Sequence, residues 1–290
     1  MKPVLYSILF ILFPANVFSQ LNVRASYREP VKCEALDNSV LRVFYETIFV
    51  NDVNKPRNTE IDLMALEIGE KGISRYYSEN RRKTDSVMNE QMKNGTTVRF
   101  ELNSTTGKAI PSLGDTREVY KNYPSGKISV TERISDSNYL YEEDKNIFQW
   151  QIESDTREIL SYTCKKAVTG FRGRLYEVWF APELPYNDGP WKFSGLPGLI
   201  LAVRDSDNNF VFQAVRIEKT KLPVEFPQDD YKKVSRREVS GVLKQYHEDP
   251  TEYLLKSYPR ASVTIKTIDE EGVEKTGNDV KYPYNPIELD

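Results

Sequence analysis

Apolar and polar positions alternate with a period of two over most of this chain, the pattern of strands that bury one face. Val40 to Val50 carries it first. Ile61 to Ile68 and Ile73 to Ser78 then flank Gly69-Glu70-Lys71-Gly72, whose glycines and spacing predict a hairpin. Val119 to Tyr123, Lys127 to Ile134, Asn138 to Tyr141, Ile147 to Ile152 and Thr156 to Leu160 read as further strands. Tyr162 to Thr169 faces Leu175 to Ala181 across Gly170 to Gly173. Leu199 to Val203 and Phe210 to Ile217 follow, separated by the polar cluster Arg204 to Asn209. The sum is an antiparallel meander.

Two segments break this period and read as helices. Thr84 to Lys93 is opened by Thr84-Asp85-Ser86 and sets Met88 and Met92 four residues apart, one face of a helix. Ser235 to Tyr246 begins at Ser235 with Glu238 three residues on, a capping-box spacing, and Pro250 lies beyond its end. A shorter helical stretch, Thr251 to Tyr258, follows it. Pro223 to Pro227 reads as a connector inside one domain, and Glu270 to Asp290 as an irregular tail lying extended over the domain or moving freely. The predicted fold class is mostly β (α+β): an antiparallel, strongly curved sheet or open half-barrel with a few packed helices.

The first residues belong to a different pattern. Met1-Lys2 is positive, Val4 to Phe13 is apolar, and Val17-Phe18-Ser19 precedes Gln20 as a signal-peptidase site does. Residues 1–19 are expected to be a cleaved signal peptide. Residues 20–290 then form a single β-rich domain with a helical segment near 235–258, secreted across the inner membrane to the periplasm or cell envelope. No apolar run reaches the roughly 20 residues of a transmembrane helix, so no transmembrane segment is expected in the mature chain.

Composition narrows the partners. Lys and Arg number 40 against 43 Asp and Glu, and no basic run exceeds Arg81-Arg82-Lys83, which argues against nucleic acid. Aromatic residues make up 12%, with 18 tyrosines, and low net charge beside that aromatic content argues against disorder. The two cysteines, Cys33 and Cys164, fit a disulfide in an oxidising compartment. They fit equally one buried thiol at Cys164 and one free thiol near the N-terminus.

Catalytic constellations are sparse. His247 is the sole histidine, which excludes a multi-histidine metal site and an H-E-x-x-H helix. At a helix end it is explained by the negative pole of the helix dipole. Asp155-Thr156-Arg157 lacks the glycine of an aspartic-protease D-T-G. Glu142-Glu143-Asp144 and Asp229-Asp230 lack calcium-loop spacing. No cofactor and no metal site is expected. Paired carboxylates brought together from distant strands remain the one way for catalysis to be present.

The run Trp191 to Ile200, W-K-F-S-G-L-P-G-L-I, is the most distinctive stretch. Pro197 and Gly198 suit the corners of a type II turn over Leu196 to Leu199, with Gly195, Pro197 and Gly198 as its structural motif and Leu199 launching a core strand. A phosphate cradle is disfavoured because no Lys-Ser/Thr pair or helix start follows the glycines. The alternative is a loop that offers Trp191, Phe193 and Leu196 to a ligand or partner. The last six letters, with Phe171 to Arg174, Trp179 to Pro185, Asp188 to Phe193 and Asn285 to Leu289, resemble the pattern of the GLPGLI proteins of the Bacteroidota. That resemblance implies an exported protein with no cofactor and no catalytic residue to carry over.

These observations lead to a non-enzymatic periplasmic or cell-envelope binding or accessory protein for an apolar ligand, a peptide or an outer-membrane partner. The alternatives are a hydrolase with carboxylates on separate strands and a purely structural envelope protein. An apolar cavity would favour the binder, and two carboxylates roughly 5 to 10 Å apart in a polar cleft would favour the hydrolase.

Overall fold

A computed structural model of the 290-residue chain describes residues 19–23, 31–57, 59–93, 98–102, 110–111, 114–135, 137–257, 266–268, 274–276 and 282–289. The signal-peptide expectation therefore lies almost wholly outside the described residues, as do the side chains of Met88 and Met92. The first half of the chain contains β1 (Ser19–Val23), β2 (Cys33–Val50), β3 (Thr59–Gly69), β4 (Ser74–Ser78), α1 (Glu79–Lys93), β5 (Val98–Leu102), β6 (Ile110–Pro111), β7 (Glu118–Lys121), β8 (Lys127–Ile134) and β9 (Ser137–Asp144). The second contains β10 (Gln151–Ile159), β11 (Tyr162–Phe171), β12 (Arg174–Ala181), β13 (Leu199–Asp205), β14 (Phe210–Lys219), β15 (Pro223–Pro227), β16 (Tyr231–Lys233), α2 (Arg236–Glu248), α3 (Pro250–Ser257), β17 (Lys266–Ile268) and β18 (Glu274–Thr276).

Fourteen strands form one open sheet in the order β10-β11-β12-β13-β14-β2-β3-β4-β7-β8-β9-β16, with β15 added to β2 and β6 to β3. All pairings are antiparallel except β16 with β9 and β6 with β3. The fold class expected from the period of two is what forms. The sheet also curls: Arg172, in the turn between β11 and β12, pairs with Glu143 on β9. In a flat sheet those strands stand eight steps of about 4.8 Å apart, roughly 40 Å. Register shifts at Ser39/Leu41, Trp179/Phe180 and Ala214/Arg216 supply local bends.

Strand parity sorts the two faces. On β2 and β3, Leu41, Val43, Tyr45, Met64, Leu66 and Ile68 point to the concave side and join one large core. Phe44, Ala65 and Tyr77 pack on the convex side instead. The concave side is filled by the long segment between β12 and β13, by Val239 of α2, by Tyr253 of α3 and by Ile287 of the tail. Lys121 of β7 holds that segment from beneath. Its ammonium is buried, donates to the Trp191 carbonyl at 2.9 Å and pairs with Asp188 at 2.6 Å.

Several boundaries differ from the sequence reading. Pro223–Pro227 is a strand rather than a connector, since it continues β14 along the N-terminal half of β2. Helix α1 begins five residues earlier than Thr84, directly at the end of β4. Ile147 and Phe148 lie outside any strand, and the two short strands expected around residues 147–160 are one strand with a register shift. The capping box at Ser235 and Glu238 forms as read, and Pro250 opens α3. The described residues 282–289 of the tail lie against the sheet and α2: Leu289 N donates to Arg172 O and Tyr282 N to His247 O.

Candidate functional site

The signature run is interior. Trp191, Phe193 and Leu196 are 6%, 0% and 1% exposed. Phe193 contacts the rings of Phe148, Tyr176, Trp191 and Phe212. They are core side chains, and no ligand could reach them as a surface loop would allow. The expected type II turn also differs in detail. Gly198 N bonds Leu196 O at 2.8 Å, while Leu199 N turns away to Leu184 O at 3.0 Å. Gly198 is required by close approach, because a Cβ there would lie 2.4 Å from Ala181 O. Cys33 and Cys164 are both free thiols, Cys33 exposed at the start of β2 and Cys164 buried on β11, so no bridge joins them. Burial raises the Cys164 thiol to about 11, which keeps it protonated.

Between Trp191 and Phe193, Lys192 is fully buried and pairs with Glu143 of β9 and Glu288 of the tail. Arg172 and Arg236 approach the same two carboxylates. This network ties β9, the β11–β12 turn, the β12–β13 segment, α2 and the tail together across the open side of the sheet. Two carboxylates among three cations are compensated by charge pairing away from water.

A different group of charges faces an opening. At one end of the sheet, the end of β2, the start of β3, the segment before β7, the end of β8 and the start of β14 surround a cavity of about 360 Å³, covered by α2 and the tail. Asp62, wholly buried, accepts from Ser78 Oγ at 2.9 Å, Asn80 Nδ2 at 2.9 Å and Asp115 N at 2.8 Å, fixing the segment that carries Asp115 and Arg117. Arg117 donates to Asp115 at 2.7 to 3.1 Å and stands 3.5 Å from Glu132. Thr116 Oγ1 donates to Glu132 at 3.2 Å. Burial pushes the Glu132 carboxyl up to about 8 against the pull of Arg117, with Asp115 adding to the rise. Asp62 is raised by burial as well.

Rings close the other side of the cleft. His247 Nδ1 donates to Pro283 O at 2.9 Å, and its ring lies against Tyr284 at 4.8 Å and Tyr246 at 5.8 Å. Burial lowers its basicity, so it stays neutral at pH 7. Asp115, Arg117 and Glu132 were not singled out from the sequence, although one signal was present. On β8 the inward series is Ile128, Val130, Glu132 and Ile134, and on β3 it is Asp62, Met64, Leu66 and Ile68; a charge at an inward position of an apolar series marks a built polar site. Among the described residues no helix is long and apolar enough to cross a membrane. Nor do three or more His, Cys, Asp or Glu among them converge as metal ligands.

Residues 114–239 match the family model described as N-glycanase peptide, N-terminal domain. This finding overturns the resemblance to the GLPGLI proteins, because the matched segment includes the G-L-P-G-L-I run itself. No curated protein matches the chain. Two solved structures of PNGF-II, in space groups P21 and C2, match part of this chain. The first is 14% identical over 70% of this chain with a TM-score of 0.48, and the second 13% identical over 70% with 0.47. The chain covers 32% of the length of each.

Proposed function

We propose that this chain is a glycan-binding domain that takes the carbohydrate of N-glycosylated proteins into the cleft between Arg117 and Tyr284. The observation that carries this reading is the lining of the cleft. Carboxylates and a guanidinium at Asp115, Glu132 and Arg117 face the tyrosine and histidine rings of Tyr246, Tyr284 and His247. Sugars present hydroxyls that pair with planar charged groups and C–H faces that lie on aromatic rings, so such a site suits them better than an apolar ligand. The similarity of residues 114–239 to an N-glycanase N-terminal domain supports the same choice of ligand. Export of the chain, with residues 1–19 removed, belongs to this proposal because glycoproteins are met outside the cytoplasm.

Titration calorimetry with a released Asn-linked core oligosaccharide tests it. Wild type should bind, and Tyr284→Ala should weaken binding at least tenfold with unchanged melting temperature. Absence of binding to any neutral oligosaccharide defeats the reading. A second reading, hydrolysis, is favoured by one feature only: burial raises the Glu132 carboxyl to about 8, which keeps its proton available for an acid role, and Asp115, held by Arg117 at 2.7 Å, lines the same cleft. Mass spectrometry of a glycopeptide incubated with the protein decides it, since an unchanged mass removes catalysis and leaves binding.

A further inference from the structure

A second cavity of about 610 Å³ lies on the convex face of β10 to β13. Register places its side chains on one face: Gln151 opposite Val168, Val168 opposite Glu177, Glu177 opposite Arg204, and Gly170 opposite Leu175. Gly170 leaves a trough beside Leu175, which is 65% exposed. The side-chain amides of Gln149, Gln151 and Asn208 make no hydrogen bond among the described residues.

The groove and the cleft lie on opposite faces at the same end of the sheet and meet at the β13–β14 turn, where Asn208 lines the groove and Phe210 the cleft. Arg174, whose side chain lies on the concave face with those of Tyr176 and Asp205, donates to Asp205 at 2.9 Å and to Asn285 of the cleft at 2.6 Å. Asp205 in turn accepts from Phe210 N at 2.9 Å. Tyr176 lines the groove, and its hydroxyl reaches the carbonyl of Ile287, which lines the cleft. A ligand that fills the cleft thus reaches the groove around the β13–β14 turn.

Their linings differ in chemistry. The cleft carries rings, whereas the only ring on the groove, Tyr176, is buried to its edge at 1% exposure. Unpaired amides beside an apolar trough suit an extended polypeptide, whose backbone needs donors and acceptors and whose side chains need a place to lie. We propose that the groove holds the polypeptide segment next to the glycosylated asparagine, so that one glycoprotein occupies cleft and groove together. The proposal rests on the glycan reading of the cleft.

Gly170→Gln tests it, because the substituted Cβ meets only Leu175 at 3.5 Å, ordinary contact, and the longer side chain fills the trough. Three probes are titrated: an eight-residue peptide carrying one Asn-linked core oligosaccharide, the released oligosaccharide and the bare peptide. Wild type should bind the glycopeptide at least tenfold more tightly than the oligosaccharide. Gly170→Gln should erase that gain and leave oligosaccharide affinity unchanged, and Gln151→Ala should reduce the gain in part. Equal affinities in wild type overturn the proposal, as does weaker oligosaccharide binding in Gly170→Gln, which would put sugar in the groove. If no oligosaccharide binds, the cleft reading fails alone: bare-peptide binding lost in Gly170→Gln still supports the groove, and its absence overturns both.

Discussion

Gly198→Ala should be among the most damaging single-atom-group changes in this chain, and the structure supplies the reason. The added Cβ would lie 2.4 Å from Ala181 O, 2.7 Å from Ala181 C and 2.9 Å from Pro182 Cα, all backbone atoms. That backbone cannot retreat freely, since Ala181 pairs with Leu199 across β12 and β13 and its carbonyl accepts Leu184 N at 3.1 Å. Overpacking of this kind costs about 1 to 3 kcal/mol, and a positive φ adds about 1 kcal/mol for a residue with a Cβ. A total of about 3 kcal/mol lowers the melting temperature of a chain this size by about 6 to 12 °C. Gly195→Ala is the control: its φ is also positive, but its Cβ meets only Trp150 Nε1, at 3.6 Å, so only the backbone cost of about 1 to 2 kcal/mol remains. Circular dichroism melts of both variants decide the matter. A Gly198→Ala protein that melts no lower than Gly195→Ala would refute the close-approach argument.

The buried carboxyl of Glu132 gives a pH signature with a definite sign. Its folded pKa of about 8 lies above the ordinary value of 4.5, so the unfolded chain releases this proton first and Glu132 makes stability fall as pH rises from 4.5 to 8. Glu132→Gln should flatten that part of the profile and gain on wild type at pH 8; identical slopes in urea titrations across this range would contradict it. For the cysteines, a thiol reagent should modify one group in the native protein, Cys33, and two after unfolding without reductant. No reactive thiol under either condition would establish a bridge.

The inward charges explain both what the sequence disclosed and what it concealed. Alternation on β2, β3, β8 and β12 predicted which residues meet in the core, because period and burial are local properties of a strand. Capping at Ser235 and the hairpin between β3 and β4 were local too, and both formed. The curl of the sheet was not local. It depends on Arg172, Glu143, Lys192, Arg236 and Glu288, which come from five separated segments and meet only when the tail crosses the open side. In the sequence, Lys192 stands inside the run Trp191 to Ile200 and Glu288 inside the segment read as an irregular tail, and nothing local pairs them. Yet Lys121, Glu132 and Glu143 each sit where the strand parity calls for an apolar side chain. A charge costs several kcal/mol in such a place unless it is paired. Lys121 and Glu143 therefore required partners from other elements that fill the concave face, Asp188 and Lys192, whereas Glu132, 3.5 Å from Arg117, is compensated only in part and is raised by burial to about 8. Of these pairs, Arg117 and Glu132 line the cavity described above. The same rule of compensation that closes the fold at Lys192 thus leaves, at Glu132, polar groups that a ligand can reach, and that difference in access is what separates the structural network from the candidate site.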